Sequence, residues 1–552
     1  MSPDVYVRAV GVGRNKHNWY DSPRYVICIR VGSDHEGHKG RRMAFLIDWL
    51  LSLTPIAVVL GLMVGLRWSG VRAGLVGWLV ALAIAAFRFG AGPSVLLWAQ
   101  VRGVFFTLFV LYIIWPALLF YRVTDEAGAV ATIGLGLPRL TADRALQALI
   151  LGWAFSAFLQ GVGGFGVPVA VLAPLLLGLG FPAVPAVVIP SIGHSWAVTF
   201  GSLGSSFYAL MAATGRPGEE LGPPSALLLG LACLLCGAGV LWAAGGPRAL
   251  RHGWLPLLLI GTAMAGTQYL VVRARMWAIG GMCAGLVGIG VSVLWARFFT
   301  PSGTSAPDPP RGMRIGTALL PYGILIAIVL LAQLVPPIDD FLGRTVLRVA
   351  VPELVTARGW RTPGGFTTGI PVFGHAGALL IYASLITFIL YARQGRYKPG
   401  VLRRIRRDVV RRALPASLGI ATMVGMAVTM EHAGMTYRLA EGVSRVMGPL
   451  FLLASPFIGA LGAFMTGSNT NSNVIFGAFQ QQAATLAGLN PVLALAAQTT
   501  GGAIGGMFAP AKVIIGCATV CAGEGQTMRK TVIYGVVILA VIALATALWG
   551  MR

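Results

Sequence analysis

Charge is what this sequence has least of. Only 11% of the residues are Asp, Glu, Lys or Arg, 56% are hydrophobic and the mean hydropathy is +0.77. A chain so poor in charge cannot cover a soluble globule with polar surface, and it reads as a membrane protein. Acids are scarcest, 18 against 42 basic residues for a net charge of +24. Such an excess can signal nucleic acid. Here the basic side chains stand in short connectors between apolar runs, as cytoplasmic loops do under the positive-inside rule, so nucleic acid is discounted. Lysine is rare even among the bases: Lys16, Lys39, Lys398, Lys512 and Lys530 are the only five. Lys512 stands out, because it falls inside the apolar run GGMFAPAKVIIGC.

Six cysteines form no framework. Cys233 and Cys236 make a C-x-x-C within LLLGLACLLCGAGVLW, where two small apolar side chains packing in a helix is the simpler reading than redox or zinc chemistry. No nucleophile–base pair, Walker loop, H-E-x-x-H or metal-ligand spacing is present, so no metal or cofactor is called and an enzyme is not expected. An integral membrane transferase, the alternative from another class, needs a charged catalytic group at a membrane face. The polar clusters here are nearly all amide, hydroxyl and glycine.

What the chain has instead is apolar runs of spanning length. Candidates lie near 44–66, 73–87, 104–121, 145–159, 225–244, 254–272 and 277–299, then 316–335, 375–392, 413–430, 449–466 and 531–550. The expectation is an all-α polytopic membrane protein of 12 to 14 transmembrane segments. Residues 1–42 read as a polar, cytoplasmic, disordered tail or as an artefact of start-codon choice. Residues 43–299 read as a first transmembrane repeat, 300–315 as a Pro/Ser-rich connector and 316–552 as a second repeat. The segment 336–371 is too polar to span and is expected outside.

Two blocks, 151–213 and 460–522, are apolar yet rich in glycine, proline and hydroxyls. Hydrocarbon offers no partner for freed backbone groups, so broken helix is tolerable only against protein or a watery cavity. Interrupted segments in corresponding places of two halves point to a transporter's binding site. A weak duplication supports the pairing at an offset of 309 residues: Gln160 falls on Asn469, Pro182 on Pro491, Ser191 on Thr500 and Gly193 on Gly502. Residues 393–412 hold nine basic side chains and one acid, whereas their counterparts at 84–103 hold only Arg88 and Arg102. Arg529, with Lys530 beside it, likewise falls on Glu220, with Glu219 beside it. Equivalent loops of opposite charge predict two inverted repeats with re-entrant or broken helices.

The motifs FLQGVGGFGVPVA and GLGF, then SPFIGALGAFMTGSNTNSNVIFG, NPVLALAAQTTGGAIGG and APAK, resemble the lactate permease family of bacterial monocarboxylate transporters, over most of the chain from about Met43. The resemblance implies a multi-pass protein of the bacterial inner membrane that takes up L-lactate, D-lactate or glycolate by symport with a proton. Its partners would be a small carboxylate, a coupling ion (H+, with Na+ as the alternative) and membrane lipid, and a homodimer is possible.

A small hydroxy-carboxylate needs donors for its carboxylate and partners for its hydroxyl. Ser468, Asn469, Thr470, Asn471 and Asn473, in the polar run 467–473, can supply them at a hairpin tip, helped by the positive end of a half-helix. Gln160 with Gly161, Gly163, Gly164 and Gly166 would let backbone approach the ligand, although packing between close helices is the bland reading of any single glycine. Thr499 and Thr500, opposite His194 and Ser195, read as the unwound middles of partner helices. Lys512 is the expected counter-ion of the carboxylate, against the alternative of snorkelling to an interface. The resemblance implies a glutamate at position 160, an aspartate at 469 and a lysine at 506, where this chain has Gln160, Asn469 and Gly506. Amides cannot take up a proton, so His194, Glu431 and His432 become the proton-coupling candidates. Lys512, six residues along, would face another way on a continuous helix.

Overall fold

About twenty apolar residues make a helix long enough to cross hydrocarbon, and the molecule is built from such helices. The computed structural model describes residues 38–164, 166–299 and 313–551, with the strands Val5–Ala9 and Tyr25–Ile29. The rest of the expected tail and residues 300–312 of the expected connector lie outside the described residues. Among the described residues, 12 helices are long and apolar enough to span a membrane, so the expected all-α polytopic architecture is found.

The first half comprises α1 (His38–Leu60), α2 (Gly70–Phe87), α3 (Pro93–Glu126), α4 (Ala129–Gly136) and α5 (Arg144–Val162). It continues through α6 (Val167–Gly178), α7 (Ala183–Ser195), α8 (Ser205–Thr214), α9 (Gly218–Arg273) and α10 (Gly280–Phe299). The second half holds α11 (Ile315–Leu334), α12 (Ala376–Arg393), α13 (Val401–His432), α14 (Met435–Met447) and α15 (Phe451–Thr466). It ends with α16 (Asn469–Leu486), α17 (Pro491–Gly505), α18 (Pro510–Val520) and α19 (Glu524–Gly550).

Two charged clusters fix the faces of the bundle. At the end of α3, Arg122 holds Asp125 at 2.5 Å, Glu126 at 2.6 Å and, across on α13, Asp408 at 2.9 Å, while Arg404 reaches Glu126 at 3.0 Å. This face carries the basic 393–412 stretch and is cytoplasmic by the positive-inside rule. On the opposite face Asp48 of α1 pairs with Arg88 at 2.7 Å and Arg358 at 3.6 Å. The start of α1 therefore shares a side with the 336–371 segment and lies opposite the basic 393–412 stretch. Orientation depends on the count of crossings, which broken segments left open in the sequence.

The 336–371 segment does not span. It forms the short helix Pro336–Gly343 and a twisted hairpin in which Val346–Leu347 pairs with Ile370–Pro371, Ala350–Val351 with Gly365–Phe366, and Leu354–Val355 with Arg361–Thr362. Helix α9 is 56 residues long, more than any bilayer needs, and it folds back where Gly245 and Gly246 leave helical geometry (φ −164° and +63°). Its ends meet on the outer face through Arg275 and Glu219 at 3.3 Å, and its bend lies by the His252–Asp143 pair at 3.1 Å. The two crossings expected at 225–244 and 254–272 are thus the two arms of one helical hairpin.

The two interrupted blocks share an order of elements: helix, break, helix, tight turn, helix, break, helix. In the first these are α5, residues 163–166, α6, residues 179–182, α7, residues 196–204 and α8; in the second, α15, residues 467–468, α16, residues 487–490, α17, residues 506–509 and α18. The open ends of the α5–α6 pair are joined by Arg144 donating to the Gly180 carbonyl at 3.4 Å. The α15–α16 pair is cross-linked by Ser455 with Gln480 and by Ser472 donating to the Gly459 carbonyl at 2.7 Å. Positive φ at Gly166 (+81°) and Gly467 (+71°) makes both tips possible, since a Cβ is strained there.

Helices α15 and α17 approach backbone to backbone. A Cβ on Gly501 would run into the Pro456 carbonyl, and one on Gly505 into the backbone of Ala460. Small residues four apart let membrane helices come this close when lipid gives no hydrophobic drive for association. Gly501→Ala should therefore cost about 1–3 kcal/mol through overpacking and lower the melting temperature of the purified protein. Gly525→Ala, at a glycine with nothing within 4 Å of its would-be Cβ, should leave that temperature no lower. The faces are tested by labelling in cells: in a Cys521→Ser background, since Cys521 is exposed, Glu220→Cys and Arg529→Cys should react with an impermeant maleimide from opposite sides, and reaction from one side would overturn the assignment.

Candidate functional site

A helix broken inside hydrocarbon frees carbonyls and amides that must be paired within the protein. Here the Phe200 carbonyl, inside a break, finds a partner, and side chains tie the broken segments to one another through carbonyls of the flanking helices. The Pro190 carbonyl accepts from Ser156 at 3.1 Å and from His194 Nδ1 at 2.7 Å. The Phe200 carbonyl accepts from the Gly281 amide at 3.1 Å, the Ser206 carbonyl from Asn473 Nδ2 at 2.9 Å, and the Thr499 carbonyl from Thr199 at 3.2 Å. The unwound stretch between α7 and α8 is thereby tied to the tip of the α15–α16 hairpin and to the middle of α17.

Thr499 is the hub. Its hydroxyl lies 3.2 Å from Thr199 Oγ1 and accepts from Asn473 Nδ2 at 2.9 Å and Asn469 Nδ2 at 3.4 Å. Asn469 Nδ2 also donates to Thr199 at 3.1 Å, Thr470 and Ser206 hydroxyls are 3.0 Å apart, and Gln160 Nε2 donates to Ser202 at 3.3 Å. Behind the hub, Gln480 donates to Gln498 at 2.8 Å and Gln498 to Ser472 Oγ at 3.0 Å, which fixes α16 against α17.

What these groups leave unpaired is as telling as what they pair. Gln160 Oε1, Asn469 Oδ1, Asn471 Oδ1, Asn473 Oδ1, Thr500 Oγ1 and His194 Nε2 are buried without a protein partner. A buried polar atom left so costs about 1–3 kcal/mol, and such atoms are few in native proteins. Such atoms also occur elsewhere in the bundle, and at the broken segments these six can pair with a polar ligand. Because His194 Nδ1 donates to a carbonyl, its neutral ring presents Nε2 as a bare acceptor.

Lys512 is partly buried, with its ammonium nitrogen 3.0 Å from where a Cβ on Gly506 would stand. The expectation that it would face away, drawn from a continuous helix, is corrected. Helix α17 ends at Gly505, a tight turn runs through Gly506–Phe508, Ala509 is extended, and α18 restarts at Pro510. The break folds Lys512 back over Gly506. A lysine at either position brings its charge to the same neighbourhood.

The other expected residues divide. Gly164 (φ +57°) sits beside Ser202 with its would-be Cβ 3.4 Å from Gln160 Nε2, and Gly166 faces Ile515 of α18. Gly161 is pressed on the backbone of Met282 in α10 and Gly163 on the Tyr121 ring, so both serve helix packing. Ser195 turns to the Ile192 carbonyl (2.7 Å) and Cys236 Sγ (3.4 Å), towards α9. Ser468 caps α16 by accepting from the Asn471 amide at 3.3 Å. Glu431 and His432 lie at the end of α13, where His432 Nδ1 donates to the Val428 carbonyl at 2.8 Å. Among the described residues no hydrogen bond joins either to the cluster. The sequence reading missed Thr199, Ser202 and Ser206. Its signal was there in TFGSLGSS at 199–206, as small and hydroxyl-rich as 467–473.

The profile of the L-lactate permease family matches residues 48–551. An L-lactate permease of Bacillus subtilis is 27% identical over 547 residues, covering 91% of this chain and 96% of that protein. The glycolate permease GlcA of Escherichia coli is 26% identical over 539 residues, covering 90% and 95%. Among solved structures, the YdaH transporter of Alcanivorax borkumensis aligns with a TM-score of 0.49 and 14% identity over 87% of this chain and 98% of that one.

Thr499→Val keeps the shape of the hub but removes the hydroxyl that Asn469 and Asn473 share. It should cost about 1–3 kcal/mol, read as a lowered melting temperature, whereas Thr485→Val, at an exposed hydroxyl bonded only within its own helix, should change it little.

Proposed function

Because the chain belongs to the L-lactate permease family, we propose that it carries small monocarboxylates such as L-lactate, D-lactate or glycolate across the inner membrane, by alternating access and in symport with a proton. It is a transporter and not an enzyme. The names of its relatives, lactate and glycolate permeases, support the substrate class. The observation that carries the reading is the buried convergence of broken segments around Thr499, with Gln160, Asn469 and Asn473 each holding an unpaired amide oxygen and Lys512 folded back at the adjoining break. Such a place offers a lysine ammonium and the N-terminus of α16 to a carboxylate, and amide and hydroxyl oxygens to a hydroxyl group.

Alternating access is supported by how the two blocks lie. The α5–α6 hairpin opens towards the cytoplasmic face, where Arg144 and Gly180 close it. The α15–α16 hairpin opens towards the outer face, where the preceding α14 is held by Trp49 donating to the Leu439 carbonyl at 3.1 Å. Re-entrant hairpins from opposite faces, each followed by a broken helix, are the arrangement that inverted repeats produce, and one repeat can then rock against the other around a fixed site. For the proton, the amides of Gln160 and Asn469 are unsuited, and His194 Nε2 is the basic atom within the interrupted block. The same amide and hydroxyl oxygens are hard ligands of the kind Na+ takes, which gives sodium coupling a specific observation in its favour.

Uptake of radiolabelled lactate and glycolate into liposomes holding the purified protein decides between these. An inward proton gradient should drive accumulation and a sodium gradient should not; the reverse would replace the proton by sodium, and failure to move either acid would end the proposal. Lys512→Met should reduce uptake at limiting substrate by at least tenfold, the loss of one charge-assisted hydrogen bond at about 1.4 kcal/mol per factor of ten.

A further inference from the structure

A second polar feature lies apart from this cluster, towards the outer face. A cavity of about 130 Å³ opens between the short helix Pro336–Gly343, the chain at 369–376 and the aromatic side chains Phe109, Tyr208 and Trp277. It abuts a smaller one of about 30 Å³, with Tyr208, Gln333, Gly374, Ala376 and Leu379 common to both, which Leu203 also lines. The larger cavity would hold about four waters at ~30 Å³ each, or one three-carbon acid.

His375 lines this cavity and is 3% exposed. Its ring stacks on Tyr112 (centroids 4.9 Å, 8° between planes) and meets the edge of Phe109 at 4.7 Å, so its direction is fixed. Its Nδ1 accepts from the Gly377 amide at 3.3 Å, capping α12. In the neutral ring the proton is then on Nε2, which has no partner. Burial holds this imidazole neutral by pushing its pKa down to about 3. Nε2–H is thus a buried donor without an acceptor, the opposite of His194, whose free nitrogen is an acceptor. Gln333 also lines the cavity and offers an acceptor for a hydroxyl, and Asp339 lines it as well.

Leu203 has φ +55° and follows Ser202 at φ +47°. Two successive non-glycine residues in left-handed conformation are strained, and Ser202 is the partner of Gln160 in the central cluster. One strained step therefore separates the cavity from the cluster.

We propose that this cavity is an outer staging site for the small hydroxy-carboxylate, anchored by the Nε2–H of His375 on its carboxylate, with the Ser202–Leu203 step as the partition to the central site. This rests on the substrate class proposed above. The carboxylate turns towards His375 and away from the like-charged Asp339, and Gln333 takes the hydroxyl.

The test uses the full-length protein in liposomes. His375→Phe keeps the stacking and removes the donor; His375→Gln restores an N–H near the same place, and both lose the cap on α12. The expected result is a KM for lactate raised roughly tenfold in His375→Phe, one hydrogen bond to a charged group, with maximal rate changed less than twofold and KM largely restored in His375→Gln. An unchanged KM in His375→Phe overturns the staging site while leaving the proposed function standing if the unaltered protein transports lactate. Equal loss in both variants assigns His375 to the cap alone and also overturns it. No transport of lactate or glycolate by the unaltered protein removes both proposals together.

Discussion

The constraint on which this molecule depends is that hydrocarbon provides no hydrogen bonds. Four helices stop or restart inside the bundle, and each stop frees backbone groups that lipid cannot satisfy. The chain sets the interruptions against each other, and side chains tie them together: Thr199 bonds to the Thr499 carbonyl of α17 and Asn473 to the Ser206 carbonyl of α8. The same necessity that holds the halves together also gathers small polar side chains in one buried place.

Close approach is the second requirement, and glycine meets it at particular positions. Gly501 and Gly505 let α17 lie on the backbone of α15, and Gly161 does the same for α5 on α10. Behind them Gln480, Gln498, Ser455 and Ser472 form a satisfied network that fixes the hairpin's register. Rigid packing behind and unpaired oxygens in front is a sound division for a site that must hold a ligand and let it go, because the supporting polar groups spend nothing of their pairing on the ligand.

Charge is used sparingly and at the edges. The Arg122, Glu126, Arg404 and Asp408 cluster ties α3 to α13 at the cytoplasmic face, and Asp48 with Arg88 and Arg358 ties α1 to the outer hairpin. Lys512 is the exception, a cation at a helix break. Its ammonium returns over Gly506, six positions earlier, because the helix between the two is broken.

Composition by itself determined that the chain enters a membrane, because so few charges cannot clothe a soluble surface, and hydropathy located the spanning runs. Glycine and amide content picked out both interrupted blocks, since no lipid-facing helix would carry them. Tertiary structure alone decided which residues meet. Thr199, Ser202 and Ser206 stand in a visibly hydroxyl-rich run, but which of its hydroxyls bond across the bundle and which to their own i−4 carbonyl is decided only when the neighbouring helix is placed. Gly161 and Gly163 face helices for the same reason in reverse. The outer position of α1's start, the fold-back of Lys512 and the unpaired donor of His375 follow from crossing parity, a bend and a stacking partner, three properties that arise between distant segments and leave no local mark in the chain.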